Sequence, residues 1–194
     1  MEGNQLFPVF IKLNELHTVV IGGGPVGLEK LTAILNNSHV AKITLVALDM
    51  IDELKDFAAN YPLVELKQKA FEPCDLNGAN LVVAATNDHV LNLEIREAAK
   101  LRGLLVNVAD KPDLCDFYLG SIVQKGDLKI AISTNGKSPT IAKRLKEVLS
   151  ESIPDELDTT LQQMNALRNS LQGDFSAKVK TLNQVTEILT KDLK

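Results

Sequence analysis

The chain has 194 residues, 21 of them basic and 25 acidic, for a formal net charge of −4 at pH 7, and 45% are hydrophobic. This length and composition allow one full core plus a smaller module, and the absence of a basic block argues against a nucleic-acid partner. The N-terminus lacks a charged stretch followed by a long apolar one, and the apolar runs near 81–85 and 104–106 are too short for a bilayer, so neither a secretory leader nor a membrane span is expected.

Residues 7–13 read as a short strand or an extended lead-in, which Pro8 confines to an edge or a strand start. A compact β-branched strand follows at 17–21, then the glycine loop, then a helix over 26–35 with Val26, Leu31, Ile34 and Leu35 at helical spacing. A second apolar strand spans 43–48. A helix over 50–59 stops before Tyr61-Pro62, because proline disfavours the helical conformation in the residue before it. Short strands are predicted at 63–67 and 81–85. A helix over 89–101 carries Leu91, Ile95, Ala98 and Leu101 along one side, with Gly103 suited to its C-terminal cap. A strand at 104–108 completes the alternation. Strands and helices in this order argue for a right-handed, parallel, helix-covered sheet.

The pattern changes after Pro112. Strands at 117–124 and 127–133, joined around Lys125-Gly126-Asp127, read as a hairpin, and Ser138-Pro139 opens a helix to about Ser150. Beyond Pro154, Leu157, Leu161, Met164, Leu167 and Leu171 form one stripe. Phe175, Val179, Leu182, Val185 and Leu189 form another, with Gly173-Asp174 as the turn of a helical hairpin. Such stripes are usually internal core, and a surface for docking a partner is the other reading. The expected domains are 1–112, a dinucleotide-binding Rossmann unit; 113–149, a strand hairpin and helix; and 150–194, a helical hairpin.

Three loops carry the chemistry. Gly22-Gly23-Gly24-Pro25-Val26-Gly27 directly follows a strand and opens a helix, the context in which a glycine triplet points to a dinucleotide. Gly22 allows the tight turn, Gly24 lets a pyrophosphate approach the backbone, and Gly27 lets helix and strand pack closely, while the helix start offers free N–H groups. Asp49, placed beyond the second strand, suits the ribose hydroxyls of NAD, or is a solvated carboxylate. No arginine beside it welcomes a 2′-phosphate, which favours NAD over NADP. Thr86-Asn87 ends the next buried strand, where the cofactor's second half would lie.

The second loop is Asn107-Val108-Ala109-Asp110-Lys111-Pro112-Asp113-Leu114-Cys115-Asp116, which puts three carboxylates just past a buried strand, where open α/β sheets bind ligands. Asp110 is the candidate general base; Asp113 and Asp116 read as turn and cap residues or as further acids. Carboxylates beside Cys115 disfavour its thiolate, which argues against a nucleophile. The third loop, Ser133-Thr134-Asn135-Gly136-Lys137-Ser138-Pro139-Thr140, reads either as an anion site built from hydroxyls, Asn135, amides and Lys137, or as a capped helix start with solvated charges. Two cysteines, Cys74 and Cys115, are too few for a disulfide framework and read as reduced thiols of a cytoplasmic protein; no His or Cys spacing makes a metal site.

Together, Phe7-Pro8-Val9-Phe10, the loop from Val20 to Gly27, Ala84-Ala85-Thr86-Asn87, Asn107-Val108-Ala109-Asp110 and Ile132 to Pro139 resemble the precorrin-2 dehydrogenase / sirohydrochlorin ferrochelatase family, over roughly 6–149. The resemblance implies an α/β fold. An NAD-binding Rossmann domain would precede a small α+β dimerisation segment, with strands exchanged between subunits of a homodimer, and a helical C-terminal part. It implies oxidation of precorrin-2 to sirohydrochlorin with NAD, and in some members insertion of Fe2+ to give siroheme. By resemblance, Asp110 is catalytic and Pro25-Val26 and Leu48-Asp49 contact the cofactor. Ser133, Thr134, Asn135, Lys137 and Ser138 would hold substrate carboxylates, with Thr134 where some bacterial members carry serine. Glu29-Lys30 replaces the Arg-Lys common in the family's first helix, and the methyltransferase domain of fused bacterial forms is absent from these residues. A non-enzymatic NAD-sensing module is the alternative that the glycine loop and Asp49 alone would allow.

Overall fold

The computed structural model describes residues 3–172 and 175–187. They form two compact units, one spanning Phe7–Leu119 and the other built mainly from the chain after Gly120. Residues 113–119 therefore lie with the first unit, past the expected limit at 112. The reason is packing: Leu114 and Cys115 sit against one core cluster of that unit and Phe117 against the other.

In the first unit, β1 (His17–Gly23), β2 (Lys42–Met50), β3 (Val64–Gln68), β4 (Leu81–Ala84) and β5 (Leu105–Val108) form one sheet in the order β3-β2-β1-β4-β5. Every pairing is parallel. The crossovers carry α1 (Pro25–Asn37), α2 (Asp52–Ala58) and α3 (His89–Leu101), whereas β3 reaches β4 through a single turn of 3-10 helix at Pro73–Leu76. Because helices cover both faces, the central strands are apolar on both sides. Val19 and Ile21 pack with Ile95 and Ala99 of α3, and Val20 packs with Leu31 and Leu35 of α1. The strand order reverses between β1 and β4, and the crevice beyond their carboxyl ends is where such sheets take ligands.

Residues 7–12 make no ladder; they run extended into a 3-10 turn at Leu13–Glu15, leaving Phe7, Val9 and Phe10 exposed. The second strand is longer than the 43–48 expected, because Gly23 pairs with Met50 after an irregularity past Ile21. Asp49 consequently lies inside the strand's last turn of pleat rather than beyond it.

In the second unit, β6 (Ser121–Lys125) and β7 (Leu128–Ile132) pair antiparallel, and α4 (Pro139–Ser152) packs on them. Next come α5 (Leu157–Ser170) and α6 (Phe175–Thr186). The turn at Gly126 is clamped by α5: Asp158 accepts the Asp127 N–H at 2.9 Å, and a Cβ on Gly126 would meet its carboxylate at 1.9 Å. No residue of α5 or α6 is buried, so the leucine stripes are not an internal core among the described residues. The predicted turn at Gly173-Asp174 and the stripe's end at Leu189 lie outside the described residues.

Candidate functional site

The glycine loop sits between the end of β2 and the first residues past β4. Gly22 has φ +124°, and a Cβ there would lie 2.4 Å from the Ala85 carbonyl oxygen. A Cβ on Gly23 would lie 2.3 Å from the Asp49 carbonyl oxygen, and one on Gly27 would lie 2.1 Å from that of Gly22. These three glycines are required by the protein's own packing. Gly24 is different. Its backbone is extended (φ −88°, ψ −169°), open to any residue, and nothing lies within 4 Å of a Cβ built there. It is the N-cap of α1, yet no side chain caps that helix, and Pro25 follows at N1. An empty cradle over an uncapped helix start fits a pyrophosphate group, which needs close backbone approach and free N–H donors.

Asp49 and Leu48 are exposed at the end of β2, Leu48 by 67%. No hydrogen bond or ion pair occupies the Asp49 carboxylate among the described residues. Cations on the adjacent strand are already paired. Lys67 meets Glu65 at 3.5 Å, and Lys69, just past β3, meets Glu72 at 2.6 Å and Asp75 at 3.1 Å. Across the crevice, Thr86 is locked by a residue the sequence did not single out. Its hydroxyl donates to Asn92 Oδ1 at 2.7 Å, and Asn92 Nδ2 donates back to the Thr86 carbonyl at 3.0 Å. Asn92 is buried on α3, whose N-cap is Asp88, accepting from Val90 and Leu91. Asn87, between them, is exposed.

Asp110 follows β5 at the same carboxyl edge. It is exposed and left-handed at φ 57°, in a turn closed by the Lys111 N–H to the Val108 carbonyl at 3.3 Å. Aspartate is among the few non-glycine residues that enter this region, at a cost of about 1–2 kcal/mol. No partner occupies its carboxylate among the described residues.

The other two acids of this loop do not share its position. Asp113 is exposed in the 3-10 turn Pro112–Leu114. Asp116 folds back along β5: its N–H donates to the Val106 carbonyl at 2.8 Å, and its carboxylate accepts the Val106 N–H at 3.0 Å and the Lys100 ammonium. Burial raises the Asp116 pKa, but the Lys100 and Val106 hydrogen bonds outweigh it and hold the carboxyl below the usual range. Cys115 uses its sulfur in the same way, accepting the Val108 N–H at 3.2 Å. Its thiol is pushed up chiefly by burial, with the Asp116 charge a lesser cause, so the expected protonated thiol has a different main origin. Asn107 Nδ2 donates to the Phe117 carbonyl at 2.8 Å. β5 is an edge strand, and residues 115–117 close its free edge with side chains and loop backbone in place of a sixth strand.

In the second unit, most of the hydroxyls of the 133–140 loop are turned inward. Thr134 Oγ1 donates to the Ser138 carbonyl and accepts the Ser138 N–H, both at 3.2 Å. Ser133 Oγ accepts the Asn135 N–H at 3.1 Å, and Ser138 caps α4 through the Ile141 N–H at 3.2 Å. Asn135 (φ 54°) and Gly136 (φ 72°) form a left-handed pair that brings the chain round to Lys137. The Asn135 side-chain amide and the Lys137 ammonium are exposed and take no partner among the described residues. Both readings of this loop are thus present in one structure: hydroxyls that build a capped helix start, and two free donors beside it.

Comparison with known proteins bears on the family and the fold. The NAD(P)-binding family model NAD_binding_7 matches residues 9–121, and the model "Sirohaem biosynthesis protein central" matches residues 125–152. The chain belongs to the precorrin-2 dehydrogenase / sirohydrochlorin ferrochelatase family. Siroheme synthase of Methylococcus capsulatus is 36% identical over 166 residues, covering 85% of this chain and 34% of that protein. Siroheme synthase of Pseudoalteromonas atlantica is 33% identical over 192 residues, covering 97% of this chain and 40% of that one. The chain therefore spans little more than a third of these relatives. A solved structure of SirC, precorrin-2 dehydrogenase, superposes with a TM-score of 0.75 at 27% identity, covering 93% of this chain and 89% of that one. The first unit is thus a nicotinamide-nucleotide-binding domain of Rossmann type. Among the described residues no helix is long and apolar enough to cross a membrane, and no cluster of three or more His, Cys, Asp or Glu could hold a metal ion.

Proposed function

We propose that this chain is an NAD-dependent dehydrogenase that oxidises precorrin-2 to sirohydrochlorin. The observation that carries the reading is Asp110: an unpaired carboxylate on a strained turn at the carboxyl edge of a nicotinamide-nucleotide-binding sheet. The overall reaction removes a hydride and a proton from the tetrapyrrole. NAD, when bound, supplies the hydride acceptor. The chain supplies the rest: Gly22, Gly24 and Gly27 with Pro25 and Val26 seat the pyrophosphate, Asp49 takes the ribose hydroxyls, and Leu48, Thr86 and Asn87 flank the nucleotide. Asp110 accepts the proton at its carboxylate. The Asp49 carboxylate and the pairing of Lys67 and Lys69 with acids support NAD over NADP, since a 2′-phosphate would meet a carboxylate beside two lysines already engaged.

Substrate carboxylates are assigned to the loop of Ser133, Thr134, Asn135, Lys137 and Ser138. Asn135 and Lys137 are the donors free to meet them, and Thr134 and Ser138 hold the loop's shape. The unit that carries this loop leaves Ile141, Leu145 and Val148 exposed along α4, which supports a homodimer in which a second copy covers them. Two free cysteines, Cys74 and Cys115, accord with a cytoplasmic protein.

The test is anaerobic incubation with precorrin-2, with and without NAD+, following NADH at about 340 nm and the tetrapyrrole spectrum. NAD-dependent formation of sirohydrochlorin is expected. Nucleotide binding with no turnover and no tetrapyrrole spectral shift would refute it in favour of a nucleotide-sensing module. A second arm omits NAD and adds Fe2+ or Co2+ to sirohydrochlorin. A rate above the uncatalysed control that is lost in Asp110→Ala would extend the role of Asp110 to taking pyrrole protons during metal insertion.

A further inference from the structure

Asp110 is held by a four-residue turn, and one side chain bonds both ends of that turn. The sulfur of Cys115 accepts the Val108 N–H at 3.2 Å and lies within donating distance of two carbonyls, Val108 at 3.1 Å and Lys111 at 3.3 Å. Val108 and Lys111 are the first and last residues of the turn that contains Asp110. We infer that Cys115 is a positioning residue for the reaction: its S–H pins the turn that presents the Asp110 carboxylate. The inference rests on the proposed role of Asp110 as proton acceptor.

Three features support it. Val108 lies on the free edge of β5, so its N–H has no strand to pair with and takes the sulfur as its acceptor, while its C=O, which closes the turn by accepting the Lys111 N–H, also lies within reach of the thiol. Asp110 sits in the left-handed region, a conformation that persists only when its surroundings fix it. Burial is the largest influence on the thiol and favours the protonated form that a donor to carbonyls requires; it outweighs the Val108 N–H bond, Lys30 and Arg96, which favour the thiolate, and Asp116 acts with it. The rest of the loop has anchors that do not need the sulfur: the Arg96 Nε on the Leu114 carbonyl at 3.1 Å, and Asn107 Nδ2 on the Phe117 carbonyl at 2.8 Å, although that amide also reaches the sulfur at 3.5 Å. Loss of Cys115 therefore loosens the turn without releasing the loop.

The experiment is a double-mutant cycle on the intact protein with NAD+ and precorrin-2. Cys115→Ala is expected to lower kcat on the order of tenfold, as a small displacement of a reacting group does, with KM for NAD+ unchanged. Cys115→Ser, which keeps one donor and one acceptor, should recover most of that loss. In the Asp110→Asn background, measured in single turnover, Cys115→Ala should cost nothing further. Equal losses in both backgrounds, or wild-type kcat in Cys115→Ala, would overturn the inference while leaving Asp110 in place. Wild-type turnover of Asp110→Asn alone would instead remove the base, and the positioning role with it. Thermal unfolding of each variant checks folding; should the alanine variant not fold, Cys115→Val, which fills a similar volume without donor or acceptor, carries the comparison with the same requirement of a loss confined to the Asp110 background.

Discussion

Gly24→Ala separates a glycine kept for the fold from one kept for a ligand. The backbone at Gly24 is extended, and no atom lies within 4 Å of the added methyl group. Alanine restricts the unfolded chain, which stabilises by about 0.4–1 kcal/mol. Alanine is also a poorer N-cap than glycine by about 0.5–1 kcal/mol. The two terms offset, so the stability of the variant should lie within about 0.5 kcal/mol of wild type. The methyl group does occupy the cradle over the start of α1. Displacing a pyrophosphate from one charge-assisted amide bond costs about 1.5–3 kcal/mol, which is roughly a 10- to 100-fold weaker Kd for NAD. Titration of NADH by fluorescence, together with thermal unfolding, reads both numbers. Gly22→Ala and Gly27→Ala serve as contrasts, since their methyl groups would meet backbone oxygens at 2.4 and 2.1 Å and the fold itself must give. A wild-type Kd for Gly24→Ala would refute the placement of the pyrophosphate. So would a loss of stability as large as that of the two contrasts, because it would show that the cradle is filled by protein.

Two further predictions follow from the acidic loop. Asp110→Gly removes left-handed strain of about 1–2 kcal/mol and adds about 0.5–1 kcal/mol of unfolded-state entropy, so it should be as stable as wild type or slightly more. Its turnover should fall by roughly 10²–10⁴, the usual contribution of a general base. A destabilised Asp110→Gly with normal turnover would contradict both halves. For Asp116 the sign is set by its lowered pKa: the folded state binds the proton less readily than the unfolded state, so this stabilisation is present above pH ~4 and is lost as pH falls through the lower folded value. Asp116→Asn should therefore be less stable than wild type at neutral pH, with a gap that closes under acid. Denaturant midpoints at neutral and strongly acid pH check it, and a gap that stays constant would show that the Lys100 pairing is not its source.

Much of the first unit was legible because its strands are buried on both faces. Such strands read as unbroken apolar runs, and Leu81–Ala84 is buried at every position. The helix His89–Leu101 was legible to the residue, since Gly103 (φ 67°) ends it in the left-handed conformation that glycine supplies. The end of β2 was not, because its last pairing depends on Gly23, a residue of another strand. The lock of Thr86 by Asn92 spans two elements and has no local pattern. In the 133–140 loop the residue types were legible but their use was not. Serine and threonine hydroxyls serve a ligand or their own backbone equally well, and only the fold shows that Thr134 is committed to Ser138. The stripes of α5 and α6 have the period of a core, but period alone does not say what covers them.

The acidic loop shows why its three aspartates, alike in sequence, differ in chemistry. An edge strand that ends at a ligand crevice faces two demands: its free backbone edge must be satisfied, and its carboxyl end must stay open. A sixth strand would meet the first and crowd the second. The chain instead satisfies the edge with the Asp116 carboxylate and backbone at Val106 and the Cys115 thiol at Val108. That commits Asp116 to a cation and an amide, with its pKa lowered and its charge neutralised. The same closure fixes the start of the turn and leaves Asp110, two residues past Val108, with no partner among the described residues and a strained backbone. A carboxylate already paired makes a poor base, and an unpaired one on a loose loop is poorly aimed. Bracing the turn through its neighbours while leaving its own oxygens free gives Asp110 both properties, which is why the proposed proton acceptor is Asp110 and not Asp116.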